Sequence, residues 1–281
     1  MNFVNSGFIC YTPRMIACLN GKFLPKNKVL ISAFDHGFLY GDAVFETLRA
    51  DNGKLADVEQ HMKRLQKSAN FLGIKLEWPL SEIGKWAEET VKLNKFKTSR
   101  VRITVSRGEN DFDFNSCKSP TLLIHCDELI IAPEIYGGIE AITMTLGRSM
   151  PEVKSTNLLP MIWAQRKVDK KKVGEVIMVD NDGFVREGVT ANVFIVKNGV
   201  IHTPEHDVLA GVVRDKVIKL AQKDEMEIEK RDFKIEDLFE AEEIFLTNSV
   251  KLIVPVNKLN GKKVGNGGAG AVTKKLMEIY E

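Results

Sequence analysis

Cysteine is scarce in this chain. The 281 residues include four, Cys10, Cys18, Cys117 and Cys126, and none forms a CxxC pair. That spacing excludes a disulfide framework and a zinc ribbon, and predicts buried free thiols in a reducing cytoplasm. The five histidines, His36, His61, His125, His202 and His206, form no HExxH, so no metal site is expected. No apolar run approaches the ~20 residues that cross a bilayer. Met1 to Arg14 lacks the basic stretch and apolar core of a secretory signal, which again predicts a cytoplasmic protein without a membrane role. Formal net charge is only +2, too small for a general field that would attract nucleic acid. The run Lys170-Lys171-Lys172 reads as a solvated helix end. There is no repeat of solenoid period and no low-complexity tract.

What remains is an ordinary globular composition, 44% apolar and 28% charged, on a chain long enough for a large core and one or two domains. Phe45 to Arg49 reads as a strand closed by the turn Asp51-Asn52-Gly53. Asp57 caps a predicted helix with the stripe Val58, Met62, Leu65, Ala69 and Leu72, ended by Gly73. A second helix follows Pro79 on Leu80, Ile83, Ala87 and Val91. Arg100 to Ser106 alternates cleanly, with Arg100, Arg102, Thr104 and Ser106 on its polar face. Thr121 to Cys126 is a further strand.

The pattern loosens around Pro133 and Gly137-Gly138, predicting a boundary: a small α/β domain over 1–127, a loop over 128–138 and a larger α/β domain over 139–281. The second half predicts strands near 142–146, 176–179 and 191–196, with a helix over 157–173. A hairpin at Asn198-Gly199 returns along 200–203. A helix starts at Gly211, strands cover 244–247 and 252–256, and a last helix runs from Gly270. The class is mixed α/β with much antiparallel pairing, in two domains.

Lys154 and Glu187 carry the chemical argument. An aldehyde cofactor such as pyridoxal phosphate needs a lysine to hold it as a Schiff base. It also needs an acid for its ring nitrogen and a cradle for its phosphate. Lys154 ends a loop containing Pro151. Glu187 opens a polar turn leading into the apolar strand that begins near Ala191. Burial and a positive ring lower a lysine's pKa and suit it to act as base. Three segments can cradle phosphate. Arg64 stands on the polar flank of the first helix, where a plain solvated arginine is the alternative. Gly211-Val212-Val213 opens a helix whose first N–H groups are unpaired, or is a simple turn. Thr247-Asn248-Ser249 follows a strand, or is an ordinary polar loop.

Together these segments resemble the class IV aminotransferases, the fold-type IV pyridoxal phosphate enzymes. These include branched-chain and D-amino acid aminotransferases and 4-amino-4-deoxychorismate lyases. The resemblance runs from Asp35-His36-Gly37 and Gly41 to Thr47, through His61 to Leu65, Lys154 to Asn157 and Glu187 to Phe194, to Gly211-Arg214, Thr247-Ser249 and Ile253-Val256. It implies that Lys154 is the Schiff-base lysine and Glu187 the partner of the pyridine nitrogen. Arg64, the amides of Val212 and Val213, Asn248 and Ser249 would form the phosphate cradle. Phe45, Tyr40 and Arg102 would line the substrate pocket, with Tyr40 reaching across the interface of a homodimer with shared sites. The expected cofactor is pyridoxal 5′-phosphate, and the substrates an amino acid and a 2-oxo acid.

The chain also departs from the family pattern. Val212-Val213 replaces Ile-Thr and removes a hydroxyl, and the loop 204–208 is short. Gly41-Asp42-Ala43 and Asp35-His36-Gly37 replace Gly-Asp-Gly and Asp-Arg-Gly. The loop 108–114 lacks the Arg-x-His pair of D-amino acid enzymes. Leu159 falls where branched-chain enzymes often place a tyrosine, and Arg100 replaces another. Ser106-Arg107-Gly108 looks like the lyase subgroup, although the glycine- and arginine-rich stretch usual there is absent. Arg107 is a substrate ligand or a loop charge. Asp111 and Asp113 form an acidic rim that would repel a dicarboxylate. Transamination is the expected activity, with elimination of pyruvate from aminodeoxychorismate as the alternative.

Overall fold

The computed structural model describes residues 15–110, 112, 114, 116, 118–168 and 173–280. The first sheet is wholly antiparallel. Its strands are β1 (Ile16–Leu19), β2 (Lys22–Pro25), β3 (Ala43–Asp51), β4 (Lys54–Leu55), β5 (Thr98–Ser106) and β6 (Thr121–Glu128), in the order β2-β1-β6-β5-β3-β4. The short α1 (His36–Tyr40) precedes β3. The amphipathic α2 (Val58–Phe71) and α3 (Leu80–Asn94) cover one face. There Val44, Leu48, Val101, Ile103 and Val105 pack against Met62, Leu65, Ala69, Ile83, Ala87 and Val91. Alternation along the strands puts Phe45, Thr47, Arg100, Arg102, Thr104 and His125 on the other face. That division of faces positions the site.

The second sheet is mixed. It comprises β7 (Ile139–Thr145), β8 (Glu175–Val179), β9 (Val185–Gly188), β10 (Asn192–Lys197), β11 (Val200–Thr203), β12 (Ile228–Lys230), β13 (Glu243–Asn248), β14 (Leu252–Leu259) and β15 (Lys262–Lys263). The order is β12-β11-β10-β13-β14-β7-β8-β9, with β15 on β14, and β7 runs parallel to both its neighbours. The helices are α4 (Leu159–Lys167), α5 (Val212–Lys223), α6 (Ile235–Glu240) and α7 (Ala271–Tyr280). Phe194 and Phe245 stack at 4.7 Å beneath α5 and α7, in a core with Val217, Ala221 and Leu276.

The changeover between sheets falls between Glu128 and Ile139. Asn52-Gly53 and Asn198-Gly199 take positive φ at both positions, as two-residue hairpins that follow the strand twist require. Three local expectations need correction. Glu187 lies inside β9, a short strand paired to the edge of β8, and not on a turn. The helix read over 157–173 is observed over Leu159–Lys167; Thr156 pairs with Ala43 and holds the preceding chain extended. Asp57 precedes α2 in a left-handed conformation, and its side chain makes no capping bond. Cys18 and Cys126 are buried free thiols; Cys10 and Cys117 lie outside the described residues. Among the described residues no helix is long and apolar enough to cross a membrane, and no cluster of three or more His, Cys, Asp or Glu could hold a metal ion.

Candidate active site

The segment carrying Lys154 docks along the free edge of β3. Phe45 N–H donates to Lys154 O at 2.9 Å, Thr156 N–H donates to Ala43 O at 2.9 Å, and Ser155 bridges Val44. This pairing fixes the lysine backbone, whose own N–H donates to Ser68 Oγ on α2. The side chain enters a cavity of about 740 Å³ between the polar face of the first sheet and elements of the second. Its Nζ lies 4.8 Å from the centre of the Phe45 ring. Burial lowers its pKa, and the charges of Arg64 and Arg148 lower it further against the pull of Glu46 and Glu187, to about 7. A buried amine that is half unprotonated near neutrality is a nucleophile and a base.

Glu187 is buried on the opposite wall. Its Oε2 accepts from Leu209 N–H at 3.2 Å and from Asn192 Nδ2 at 3.5 Å. Its Oε1 accepts no hydrogen bond, although Arg148 Nε lies 3.1 Å away in poor alignment. Burial pushes the carboxyl up, partly offset by Arg148 and the Leu209 amide. Arg148, just past the end of β7, was not singled out by any sequence motif.

The expected phosphate cradle is brought together. Arg64, Val212, Val213, Asn248 and Ser249 all line the cavity. Arg64 is not solvated: Nε and Nη2 donate to the two oxygens of Glu46 at 2.8 and 2.7 Å, and Nη1 donates to Ala210 O. Burial would push Glu46 up, but the Arg64 guanidinium and His61 outweigh it and hold the carboxyl at about 2. His61 Nδ1 sits 2.7 Å from Glu46, and its Nε2 is 3.3 Å from Ser249 Oγ. Ser249, His61, Glu46 and Arg64 thus form one continuous chain across the two sheets. Gly211 caps α5 and leaves the Val212 and Val213 amides at its open first turn. A Cβ at Gly211 would meet Asn192 Oδ1 at 1.9 Å, so the close approach requires glycine. Thr247 Oγ1, also on the cavity wall, is buried without a partner.

Among the expected substrate residues, Phe45 and Arg102 line the cavity, with Arg102 Cζ 3.3 Å from the Phe45 ring centre. Tyr40 and Arg107 do not. Tyr40 packs edge-on against His36 and Phe114 and is 44% exposed. Arg107 turns away to Asp42 and donates to the carbonyls of Leu72, Gly73 and Ser116. It ties the loop to the end of α2. Asp111 and Asp113 lie outside the described residues.

The family model for amino-transferase class IV matches residues 43–259. A putative branched-chain-amino-acid aminotransferase of Methanocaldococcus jannaschii is 37% identical over 273 residues, covering 94% of each chain. A D-alanine aminotransferase of Bacillus licheniformis is 29% identical, covering 95% of this chain and 96% of the relative. The aminodeoxychorismate lyase of Bacillus subtilis is 32% identical, covering 94% and 92%. Among solved structures, a branched-chain aminotransferase from the thermophilic archaeon Thermoproteus uzoniensis with norvaline superposes with a TM-score of 0.86 at 26% identity, over 95% and 93% of the two chains. A second branched-chain amino acid aminotransferase, complexed with N-(5′-phosphopyridoxyl)-L-glutamate, superposes with a TM-score of 0.87 at 26% identity, over 94% and 92%. That enzyme is also known complexed with 4-methylvaleric acid. This chain belongs to the class IV aminotransferase family, with the fold-type IV architecture, and its enzymes depend on pyridoxal phosphate.

Proposed function

We propose that the chain moves an amino group between an amino acid and a 2-oxo acid, with pyridoxal 5′-phosphate held in the Lys154 cavity. The observation that carries this reading is the convergence in one cavity of the buried Lys154 with Glu187, whose Oε1 accepts no hydrogen bond. That oxygen fits the ring N–H of the cofactor. Arg64, Ser249, Asn248 and the Val212 and Val213 amides fit its phosphate. When bound, the cofactor supplies an electron sink for the bond broken at the substrate Cα. Glu187 would hold the ring nitrogen of the cofactor in its protonated form. Lys154 Nζ would take the proton from Cα and return it, and the cavity walls would limit water around that transfer.

The lyase reading rests on the 32% identical relative and on Ser106-Arg107-Gly108. Arg107 is engaged by Asp42 outside the cavity, which favours transamination. The test is to load the purified protein with cofactor and add a panel of L- and D-amino acids. Loss of the visible absorbance with release of a 2-oxo acid is expected; 4-aminobenzoate formed from aminodeoxychorismate without that conversion would reverse the assignment.

A homodimer is part of the proposal. Leu30, Phe34, Phe38 and Leu39 near α1, and Leu159 and Trp163 on α4, are exposed apolar side chains of a kind a second copy would cover. Tyr40 lies in the first group, away from its own cavity, and would serve the partner's. Sedimentation at micromolar concentration should give twice the 31.6 kDa chain mass. Each chain would comprise two domains, one per sheet. The buried free thiols Cys18 and Cys126 suit a reducing compartment such as the cytoplasm.

A further inference from the structure

Glu175 is buried at the start of β8, and nothing in the proposed transfer uses it. Among the described residues it forms no ion pair; Lys251, in the turn after β13, acts on it only through its field. Its carboxyl instead ties three elements together. Oε1 accepts from Val176 N–H at 3.0 Å and from Gln165 Nε2 of α4 at 3.4 Å. Oε2 shares a short hydrogen bond with Thr190 Oγ1. Thr190 belongs to the turn that follows Glu187, and the consecutive residues Val189, Thr190 and Ala191 line the cavity. Gly188 N–H closes that turn by donating to Ala191 O at 2.7 Å, and Val189 N–H seats it on β8 by donating to Val176 O at 2.9 Å. A Cβ at Gly188 would come within 3.1 Å of Glu175 Cγ, so the chain passes close over this carboxyl. One buried acid therefore stands behind the stretch of cavity wall next to Glu187.

Where the hydrogen sits between Glu175 and Thr190 depends on the charge of the acid. A carboxylate only accepts, so it would consume the Thr190 O–H. A neutral acid has one O–H to give and would donate it to Thr190 Oγ1. The surroundings favour the neutral acid. The N–H donors of Val176 and Gln165 both go to Oε1, which leaves Oε2 to be the hydroxyl oxygen. Burial pushes the carboxyl up, opposed by the Thr190 hydroxyl, the Val176 and Thr190 amides and the Lys251 charge. With the proton on Glu175, the Thr190 hydrogen is released for an acceptor in the cavity that residue lines.

We infer that Glu175 is a positioning residue of the site: as a neutral acid it holds Thr190 Oγ1 as acceptor, so that the Thr190 O–H offers its hydrogen to an acceptor oxygen of the bound amino or 2-oxo acid. This rests on the proposed transamination for the identity of the substrates. Thr190 is then the residue that touches the substrate, and Glu175 acts through it. Thr190→Ser keeps the arrangement, and Thr190→Val keeps the shape while removing the donor. Glu175→Gln keeps a donor for Thr190 Oγ1 and an acceptor for Val176 and Gln165. Glu175→Leu keeps the bulk and removes both.

The deciding experiment measures the binding of 4-methylvalerate, a non-reacting acid, to the cofactor-loaded protein by calorimetry. Thr190→Val and Glu175→Leu should each weaken it about three- to tenfold, the range of one neutral hydrogen bond. The double variant should lose no more than either alone, because both changes remove one shared interaction. Thr190→Ser and Glu175→Gln should restore the parent's affinity. In turnover the loss should fall on KM rather than on kcat, which a general loss of order would not give. An infrared difference spectrum, parent minus Glu175→Gln, should show at neutral pH the carbonyl band of a protonated carboxylic acid. Parent-like binding in Thr190→Val overturns the inference. So does a Glu175→Gln variant as weak as Glu175→Leu, or a carboxylate band in the difference spectrum, since either requires a charged Glu175. Where Glu175→Leu does not fold, Thr190→Val, Glu175→Gln and the infrared band decide. If no amino acid converts the cofactor, the transamination reading fails, while the probe affinities and the infrared band still decide the role of Glu175.

Discussion

Arg148 Nε lies 3.1 Å from Glu187 Oε1, so the buried acid that would hold the cofactor's ring nitrogen has its own cation beside it. Burial alone pushes the Glu187 carboxyl up, and the Arg148 charge is the largest force opposing that rise. Replacing Arg148 with Leu should raise the Glu187 pKa further and let it protonate at higher pH. The acidic limb of the half-reaction's pH–rate profile should move to higher pH. A profile superposable on the parent's would remove Arg148 from this role.

Lys154 makes an unusual stability prediction for the cofactor-free protein. Its pKa is lowered by burial to about 7 from the ordinary 10.5. Between those values the unfolded chain binds the extra proton, so stability rises with pH across that window; below about 7 the folded state carries the whole cost of a buried charge. Lys154→Met should therefore stabilise the cofactor-free protein at about pH 6 by a few kcal/mol, on the order of the shift at about 1.36 kcal/mol per unit. Urea titration reads this. The same variant should lose covalent attachment of the cofactor, tested by borohydride trapping, and about 10²–10⁴-fold in turnover from the missing base.

Glu46 behaves oppositely. Despite burial, Arg64 and His61 hold its pKa at about 2, below the ordinary 4.5. Its contribution is present above the unfolded value and is lost as pH falls through 4.5 toward 2. Glu46→Ala leaves the largely buried Arg64 guanidinium with only the Ala210 carbonyl as acceptor, so a loss of about 2–3 kcal/mol in unfolding free energy is expected near neutral pH. The variant should also release cofactor faster, because the Arg64 and His61 side chains of the cradle lose their common anchor. Stopped-flow fluorescence would follow the release.

Arg186 and Glu187 are neighbours on β9 and grip opposite ends of one loop. Arg186 pairs with Asp180, Asp207 and Asp232 and donates to His206 O, while Glu187 receives the Leu209 N–H. That loop ends at the capping Gly211 of α5. Arg186→Ala should leave the sheet intact and cost about 1 kcal/mol in stability. Backbone amides over 205–210 should exchange faster with solvent, and cofactor retention should weaken. Unchanged exchange in that loop would count against the clamp.

Local signals sufficed wherever one strong periodicity met one strong turn. The stripe from Val58 to Ala69, the alternation of 101–105 and the Asn-Gly pair at 198–199 each allow a single arrangement that buries the apolar atoms. They failed where pairing is long-range. Val185–Gly188 is a strand because β8 offers an edge to it, and so short a segment carries no period of its own. Residues 157 and 158 are not helical because Thr156 is drawn into pairing with β3.

The sequence by itself determined the composition of the candidate site: a lysine, an acid, an arginine on a helix flank and a glycine at a helix start. Tertiary structure decided which charges face each other. Glu46 was visible only as part of a strand, yet it anchors Arg64; Arg107 read as a possible ligand, yet it faces Asp42; Arg148 gave no signal, yet it stands beside Glu187. The reason is physical. Apolar burial follows from spacing along the chain, whereas the partner of a buried charge depends on which distant strand delivers an opposite charge within about 3 Å.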